Sequence, residues 1–310
     1  MKKAIVTGAG GFLGIEVCKE LAFRGYDVIA LVRDEMSVKM IFNTLENVRV
    51  LCVDMSDYVN LAKLISDRDI NDVYHFAWTG CAGQMRADMS AQVNNIRYTC
   101  ELIYSCREIG CKRFVFAGSI MEFEVMALMQ TDKMPESNTL YSSAKLAADF
   151  MAKTLAFQHG IQYIRAIISN VYGPGEKNER FINASLKKLL KGEHCSFSEG
   201  NQLYDFLYIS DAAKMFVEIC EKGINGRTYY IGNKTQRKLK EYLIEMKNCI
   251  DKDIEIGLGE YPFNGVELTY LEFPKNTVEE DTGFVPDVSF SKGIKKTIQW
   301  LREKNDDFYT

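Results

Sequence analysis

Short, mostly apolar runs alternate with longer segments of helical periodicity through the first two thirds of the chain. The runs predict strands at residues 3–7, 27–32, 48–53, 72–76, 113–117 and 162–168. The periodic segments predict helices at residues 11–24, 85–108 and 140–159. Continuous apolar strands separated by helices indicate a parallel sheet that is covered on both faces. We therefore predict an α/β fold with a doubly wound parallel sheet.

The pattern becomes looser after Tyr172, where Gly173-Pro174-Gly175 interrupts the chain. Short helices are predicted beyond this break, at residues 181–191, 211–222, 238–249 and 291–303. We expect a dinucleotide-binding domain at residues 1–170. A smaller, interleaved substrate lobe is expected at residues 171–310, with some of its strands and helices returning to the first domain.

Composition excludes several classes of protein. Of 310 residues, 47% are hydrophobic and 26% are charged, which is typical of a globular chain. The net charge of −4 argues against binding to nucleic acid, and no apolar run is long enough to predict a membrane span. The nine cysteines and three histidines form no metal-ligand or disulfide pattern, which favours reduced thiols in a cytoplasm and predicts no metal site. His75, at the end of an apolar run, is interpreted as a packing residue.

A glycine-rich turn follows the first predicted strand and opens the first helix. Its sequence is Thr7-Gly8-Ala9-Gly10-Gly11-Phe12-Leu13-Gly14. Glycines at this spacing allow a tight turn and a close approach of the backbone to a pyrophosphate, and the helix N-terminus adds amide donors. This context predicts dinucleotide binding on a Rossmann-type sheet.

The residue after the second strand distinguishes the two nicotinamide dinucleotides. A carboxylate there accepts hydrogen bonds from the ribose 2′-hydroxyl, whereas an arginine pairs with a 2′-phosphate. This strand ends in Val32, followed by Arg33 and Asp34. If Arg33 faces the ribose, its guanidinium suits a phosphate. The alternative is that Arg33 is a solvated loop residue paired with Asp34.

Ser119, Tyr141 and Lys145 are the candidate catalytic group. Tyr141 and Lys145 are four residues apart and share one helix face, while Ser119 follows the end of a strand, where ligands bind in open α/β sheets. Moving a tyrosine pKa from about 10 to near 7 requires about 4 kcal/mol of phenolate stabilisation. A nearby ammonium and a cationic nicotinamide act in that direction. We therefore predict a Tyr141 pKa that is lowered by Lys145.

These features together resemble the extended short-chain dehydrogenase/reductase family, in its nucleotide-sugar epimerase, dehydratase and reductase branch. The resemblance covers nearly the whole chain and extends to Ser169–Pro174, Tyr204–Asp211 and Thr282–Pro286. It implies that Ser119, Tyr141 and Lys145 are catalytic. It also implies substrate contacts by Ser119, Asn170 and Tyr204. The implied cofactor-binding residues are Gly8, Gly11, Phe12, Leu13, Gly14, Arg33, Asp54, Met55, Phe76, Ala77, Trp78, Asn95, Tyr141 and Lys145.

The sequence departs from the family pattern at three places. Arg33 replaces the common acid after the second strand and resembles the NADP-using reductases. Ile120-Met121 stands where the 4,6-dehydratases carry Asp-Glu, which disfavours dehydration. Tyr204 replaces an arginine that pairs with the substrate diphosphate. Either another cation takes this role, with Lys177 and Arg180 as candidates by location alone, or the substrate is not a sugar nucleotide.

The leading hypothesis is an NADP(H)-dependent reductase of a 4-keto-6-deoxy sugar nucleotide. NAD(H) is the alternative cofactor, for a nucleotide-sugar 4-epimerase that uses the same three residues. A non-catalytic dinucleotide sensor is the alternative from another functional class. By resemblance we expect a homodimer formed by the long helices at residues 85–108 and 140–158. The segment at residues 121–137 is expected to be loose and to border the pocket.

Overall fold

The computed structural model describes residues 1–263 and 267–306, with side chains described through residue 303. Its strands are β1 (Lys3–Thr7), β2 (Asp27–Val32), β3 (Val48–Cys52), β4 (Asp72–His75), β5 (Arg113–Ser119), β6 (Gln162–Ile168), β7 (Asn170–Tyr172), β8 (Ser196–Phe197), β9 (Leu203–Tyr204), β10 (Phe206–Tyr208), β11 (Thr228–Ile231), β12 (Arg237–Lys238) and β13 (Gly257–Leu258). Its α-helices are α1 (Phe12–Phe23), α2 (Lys39–Phe42), α3 (Leu61–Leu64), α4 (Met89–Glu108), α5 (Glu122–Leu128), α6 (Thr139–Gln158), α7 (Phe181–Leu190), α8 (Ile209–Lys222), α9 (Leu239–Asn248), α10 (Thr277–Thr282) and α11 (Phe290–Asp306). Two 3₁₀ helices, Met55–Asn60 and Gly83–Ala87, complete the described elements.

Seven strands form one parallel sheet in the order β11-β6-β5-β4-β1-β2-β3. The strand order reverses between β1 and β4, and ligands bind in the crevice outside the carboxyl ends of the strands at such a switch point. The central strands are buried because helices cover them, as their continuous apolar sequences predict. The predicted doubly wound parallel sheet is confirmed.

The chain groups into two compact units. Unit 1 consists of Met1–Ile168, Ala213–Ile231 and Asn276–Phe284, and it contains the seven-stranded sheet. Unit 2 consists of the described residues of Ser169–Ala212, Gly232–Lys275 and Val285–Thr310. Its short strands pair as β10 with β7, β12 with β9 and β13 with β8.

Two predictions of local structure are wrong. The helix predicted from residue 85 begins at Met89, because the Asp88 carboxylate accepts a hydrogen bond from the Ala91 amide at 2.9 Å and caps it there. The segment predicted to be loose contains α5, which begins at Glu122. The helix α5 contains no glycine or proline, and the two acidic residues in its first turn favour a helix start.

Candidate active site

The turn between β1 and α1 requires glycine at two positions. Gly8 has a φ of +64°, and a Cβ atom there would lie 2.7 Å from the Ala77 amide nitrogen. A Cβ atom at Gly14 would lie 2.3 Å from the Gly8 carbonyl oxygen. Only glycine allows this close approach of α1 to the end of β1.

The N-terminus of α1 suits an anionic ligand. Its N-cap, Gly11, offers no side-chain hydrogen bond, and the fully described first turn contains no acidic residue. The first amides of a helix have no partner within the helix, and its dipole places partial positive charge there. The backbone amides at this end, among them those of Phe12 and Leu13, therefore have no side chain of the first turn competing with a phosphate for them. This end of the sheet fits the pyrophosphate of a dinucleotide.

His75 ties the end of β4 to its neighbours. Its Nδ1 lies 2.8 Å from the Thr7 hydroxyl, and its Nε2 lies 2.9 Å from the Thr99 hydroxyl. Burial, assisted by the positive charge of Lys145, lowers the pKa of His75 to about 3. The side chain is therefore a neutral packing group, as the sequence predicts.

The segment after β4 is held from α4. Asn95, which is buried, donates from Nδ2 to the Thr79 carbonyl at 2.8 Å and accepts from the Thr79 amide at 3.0 Å. Trp78 donates from its indole nitrogen to the Gln92 side chain at 3.0 Å. Phe76 packs edge-on against Phe216, with ring centroids 4.8 Å apart. Asn95 thus supports the backbone of this segment, with both polar atoms of its amide engaged.

Arg33 and Asp54 lie at the ends of β2 and β3. The Asp54 carboxylate accepts hydrogen bonds from the Ser56 amide at 3.0 Å and hydroxyl at 2.8 Å. These bonds, and then the positive charge of Arg33, lower the pKa of Asp54. Arg33 is exposed and forms no ion pair with Asp34 within the described chain. Its guanidinium is therefore available to a ligand.

Ser119, Tyr141 and Lys145 come together at the carboxyl end of β5. The Ser119 hydroxyl accepts a hydrogen bond from the Met121 amide at 3.2 Å, and it lies close enough to Tyr141 to favour the ionised form of that phenol. Lys145 donates from Nζ to the Ala117 carbonyl at 2.9 Å. Its ammonium also lies over the Trp78 ring. The serine at the strand end and one face of α6 thus form a single polar cluster in unit 1.

The predicted direction of the Tyr141 pKa is wrong. Burial raises the pKa of Tyr141 to about 12, opposed by the nearby Ser119 hydroxyl and the charge of Arg86. Lys145 is directed toward Ala117 and Trp78, and burial lowers its own pKa to about 8. Desolvation of the phenolate therefore outweighs the charges around Tyr141.

Sequence reasoning missed Glu122, which is fully buried beneath the cluster. Its carboxylate accepts from the Ser119 amide at 2.7 Å and forms an ion pair with Arg165. Arg165 also lies 3.2 Å from Asp149 on α6. The sequence does carry a signal for this contact: Glu122 follows the candidate serine by three residues, a spacing that places both in one turn.

Arg86 was also missed. It lies in the 3₁₀ helix Gly83–Ala87, and its guanidinium carbon is 5.0 Å from the centroid of the Tyr141 ring. No local sequence feature connects this residue with Tyr141. Its placement depends on how the segment after β4 folds over α6.

The candidate substrate residues Asn170 and Tyr204 lie in unit 2. Asn170 donates from Nδ2 to the Asp205 carbonyl at 3.1 Å, and the Tyr204 ring stacks on Phe206 with centroids 5.5 Å apart. Arg180, at the start of α7, lies 3.3 Å from Glu176. Lys177 is exposed.

The described residues contain no group of three or more His, Cys, Asp or Glu that could hold a metal ion. In the same part of the chain, none of the helices combines the length and the hydropathy needed to cross a bilayer. All nine cysteines are unpaired, and six of them are buried.

Comparison with known proteins gives matches over nearly the full length. In sequence, the chain is 23% identical to UDP-N-acetyl-alpha-D-glucosaminuronate decarboxylase of Bacillus cytotoxicus, with 99% of each chain covered. In structure, it is similar to UDP-glucuronic acid 4-epimerase of Bacillus cereus in complex with UDP-glucuronic acid and NAD, with a TM-score of 0.79, 20% identity, and 97% and 99% coverage. It is also similar to UDP-N-acetylglucosamine 4-epimerase of Methanobrevibacter ruminantium, with a TM-score of 0.80, 18% identity, and 98% and 99% coverage.

The solved structures share the fold of this chain, and the sequence profile of one family identifies it more closely. That profile, the NAD dependent epimerase/dehydratase family, matches residues 4–232. The matched region contains the glycine turn, the switch point and the Ser119 cluster. The chain therefore belongs to the NAD dependent epimerase/dehydratase family, and it is an enzyme of the extended short-chain dehydrogenase/reductase type.

Proposed function

We propose that this enzyme oxidises or reduces a sugar carbon of a nucleotide sugar, with Ser119, Tyr141 and Lys145 as its catalytic residues. The observation that carries the proposal is the meeting of the three side chains at the carboxyl end of β5, where Ser119 lies close enough to Tyr141 to act on its pKa and Lys145 donates to the Ala117 carbonyl. A nicotinamide dinucleotide, when bound, supplies or accepts the hydride. The glycine turn, Phe12 and Leu13 would hold its pyrophosphate, and Asp54, Met55 and the segment Phe76–Trp78 would border the rest.

Tyr141 would move the proton at the reacting oxygen. With a pKa of about 12, its phenol is protonated at neutral pH and suits the donor role in carbonyl reduction. Ser119 would donate a second hydrogen bond to the same substrate oxygen. In the oxidative direction Tyr141 must lose its proton, and reaching pH 7 requires about 7 kcal/mol of stabilisation. Nearby positive charges therefore matter most in that direction.

Among the reactions of this family, we propose 4-epimerisation with NAD(H) as the first candidate. Two structurally similar enzymes are 4-epimerases, and one of them was solved with NAD. Ile120 and Met121 stand where the resemblance implies the acidic pair of a dehydratase, so water elimination is disfavoured.

Reduction of a 4-keto-6-deoxy sugar nucleotide with NADP(H) is the second candidate. The exposed Arg33 guanidinium favours it, because an arginine after β2 can pair with a 2′-phosphate. Asn170 and Tyr204 remain candidates for substrate binding from unit 2.

Turnover of a nucleotide-sugar panel tests the proposal. Purified protein is incubated with UDP- and dTDP-sugars and NAD, or with their 4-keto forms and NADPH, and the products are identified by NMR. Inversion at C4 with retained NAD supports the epimerase, and consumption of NADPH supports the reductase. No turnover of any substrate by the wild type would favour the sensor alternative.

The variant Tyr141→Phe is the matched test of the catalytic group. It keeps the aromatic ring that packs edge-on against Trp78 and removes only the phenol oxygen. We expect at least a 100-fold loss of turnover, of the order of general acid–base catalysis, with dinucleotide binding unchanged. Unchanged turnover would remove Tyr141 from the mechanism.

We also propose that the protein forms a homodimer through α4 and α6, which pack side by side. Val93 and Tyr104 on α4 are three turns apart, Phe150 and Phe157 on α6 are two turns apart, and all four are about half exposed or more. Light scattering tests the mass in solution. Phe150→Asp should give monomers, whereas Phe23→Asp on the exposed side of α1 should not; a monomeric wild type would refute the dimer.

A further inference from the structure

Arg86 is anchored over the candidate catalytic tyrosine. Its Nε donates a hydrogen bond to the Cys81 carbonyl at 3.0 Å, which fixes the plane of the guanidinium. The guanidinium carbon lies 5.0 Å from the centroid of the Tyr141 ring, within the range of a cation–π contact. Arg86 is half-buried and forms no ion pair within the described residues. Glu124 on α5 is the carboxylate that faces this charge: burial raises its pKa to about 7, and Arg86 opposes that rise without forming an ion pair with it.

The charged and titratable groups that act on the pKa of Tyr141 lie on β5, on α5 and in the segment after β4. Ser119 on β5 and Arg86 favour the phenolate, whereas Cys81 after β4 and Glu122 on α5 oppose it. Glu122 is itself paired with Arg165. On the same helix, Lys145 contacts Ala117 and Trp78.

The geometry therefore places a positive charge from the segment after β4 over the Tyr141 ring. We propose that Arg86 is a positioning residue that stabilises the developing negative charge on the Tyr141 oxygen. The proposal rests on the proposed function, since it requires Tyr141 to exchange a proton with substrate. The sequence analysis predicted only Lys145 as a cation that lowers the pKa of Tyr141, and the proposal adds Arg86 as a second one.

Arg97 and Tyr98 on α4 provide a matched control. The Arg97 guanidinium carbon lies 4.8 Å from the Tyr98 ring centroid, so the two arginine–tyrosine pairs have nearly equal spacing. Arg97 is exposed and contacts Glu101 on the same helix. Replacing it removes the same kind of contact at a position outside the Ser119 cluster.

The experiment compares the pH profiles of kcat for the wild type, Arg86→Gln, Arg86→Lys and Arg97→Gln in the oxidative direction. One limb of the kcat profile reflects the ionisation of Tyr141. In Arg86→Gln, which removes a neighbouring positive charge, this limb should move by about 1 to 3 pH units toward alkaline pH. Below that limb kcat should fall about tenfold per unit while KM stays constant. Arg86→Lys should shift the limb less, and Arg97→Gln should leave it in place. A raised KM with an unmoved profile would show that Arg86 binds substrate instead, and would overturn the proposal.

A second measurement needs no substrate. A difluorinated tyrosine at position 141 titrates at a lower pH than tyrosine, and its fluorine NMR signal reports its ionisation directly. We expect this pKa to rise in Arg86→Gln and to stay unchanged in Arg97→Gln. If the wild type turns over no nucleotide sugar, the proposed function fails while this titration still tests the contact. An unchanged fluorotyrosine pKa in Arg86→Gln would overturn the role of Arg86 whether or not the enzyme is active.

Discussion

The ammonium nitrogen of Lys145 lies 3.7 Å from the centroid of the Trp78 ring. It also donates to the Ala117 carbonyl, so one side chain of α6 contacts the segments that end β4 and β5. The lysine is almost fully buried, and burial lowers its pKa to about 8. A buried charge in this position destabilises the fold, which indicates that Lys145 serves catalysis or ligand binding and not stability.

Replacing Lys145 with Met should stabilise the protein near neutral pH. The lowered pKa corresponds to about 3 kcal/mol of penalty for the buried charge. Loss of the hydrogen bond to Ala117 should offset about 1–2 kcal/mol of this gain. We expect a net increase of about 1–2 kcal/mol in the free energy of unfolding, measured by urea titration.

The pH dependence of this difference follows from proton binding. Between about pH 8 and about pH 10.5 the unfolded lysine holds a proton that the folded one has lost, so wild-type stability rises with pH and the advantage of Met should shrink. Lys153→Met is the control, because this exposed lysine of α6 also donates to a backbone carbonyl, that of Gly226. Equal effects of the two substitutions would contradict the buried-charge interpretation.

Glu122→Gln should destabilise the protein by about 3 kcal/mol, because it removes one partner of a buried ion pair. Glutamine can still accept the Ser119 amide hydrogen bond, but it leaves Arg165 with Asp149 as its remaining carboxylate partner in the described chain. Urea unfolding measures the loss. Glu16→Gln, which breaks the exposed pair with Lys19, should cost less than about 1 kcal/mol. A similar small effect at Glu122 would show that the buried pair contributes little.

Much of the sheet could be predicted because its central strands are buried on both faces. The bounds of β1 and β2 follow directly from continuous apolar runs that polar residues or glycines terminate, and those of β6 follow from a run that only Arg165 interrupts. The start of α4 could not be read from periodicity, because the apolar pattern continues through the preceding 3₁₀ helix and the Asp88 cap decides the boundary.

The sequence predicts which residues, Ser119, Tyr141 and Lys145, form the candidate site. It does not predict the direction in which the pKa of Tyr141 is shifted. The spacing of Tyr141 and Lys145 on one helix places them on the same face. It does not show where the ammonium points or how much solvent the phenol loses. Arg86 approaches Tyr141 from a segment distant in sequence, so only tertiary structure reveals the contact.

His75 should make the protein less stable in acid. Its folded pKa of about 3 lies below the usual value of about 6.5, so between these limits the unfolded chain binds a proton that the folded chain excludes. Stability from this group is present above about pH 6.5 and falls by about 1.4 kcal/mol per unit as the pH decreases. Urea unfolding at several pH values should show a smaller slope for His75→Gln. His159→Gln, at the end of α6, should keep the wild-type slope; equal slopes in wild type and His75→Gln would contradict the prediction.

Arg33 should determine which dinucleotide the enzyme prefers. A charge-assisted hydrogen bond contributes about 1.5–3 kcal/mol, so Arg33→Gln should weaken NADPH binding by about 10- to 100-fold. NADH has no 2′-phosphate, so its affinity should change little. Calorimetric titration of both dinucleotides measures the ratio. Arg49→Gln on β3 is the control, since this exposed arginine pairs with Asp67. If Arg33→Gln weakened both dinucleotides equally, the residue would contribute general attraction, and the case for an NADP(H)-dependent reductase would lose its main support.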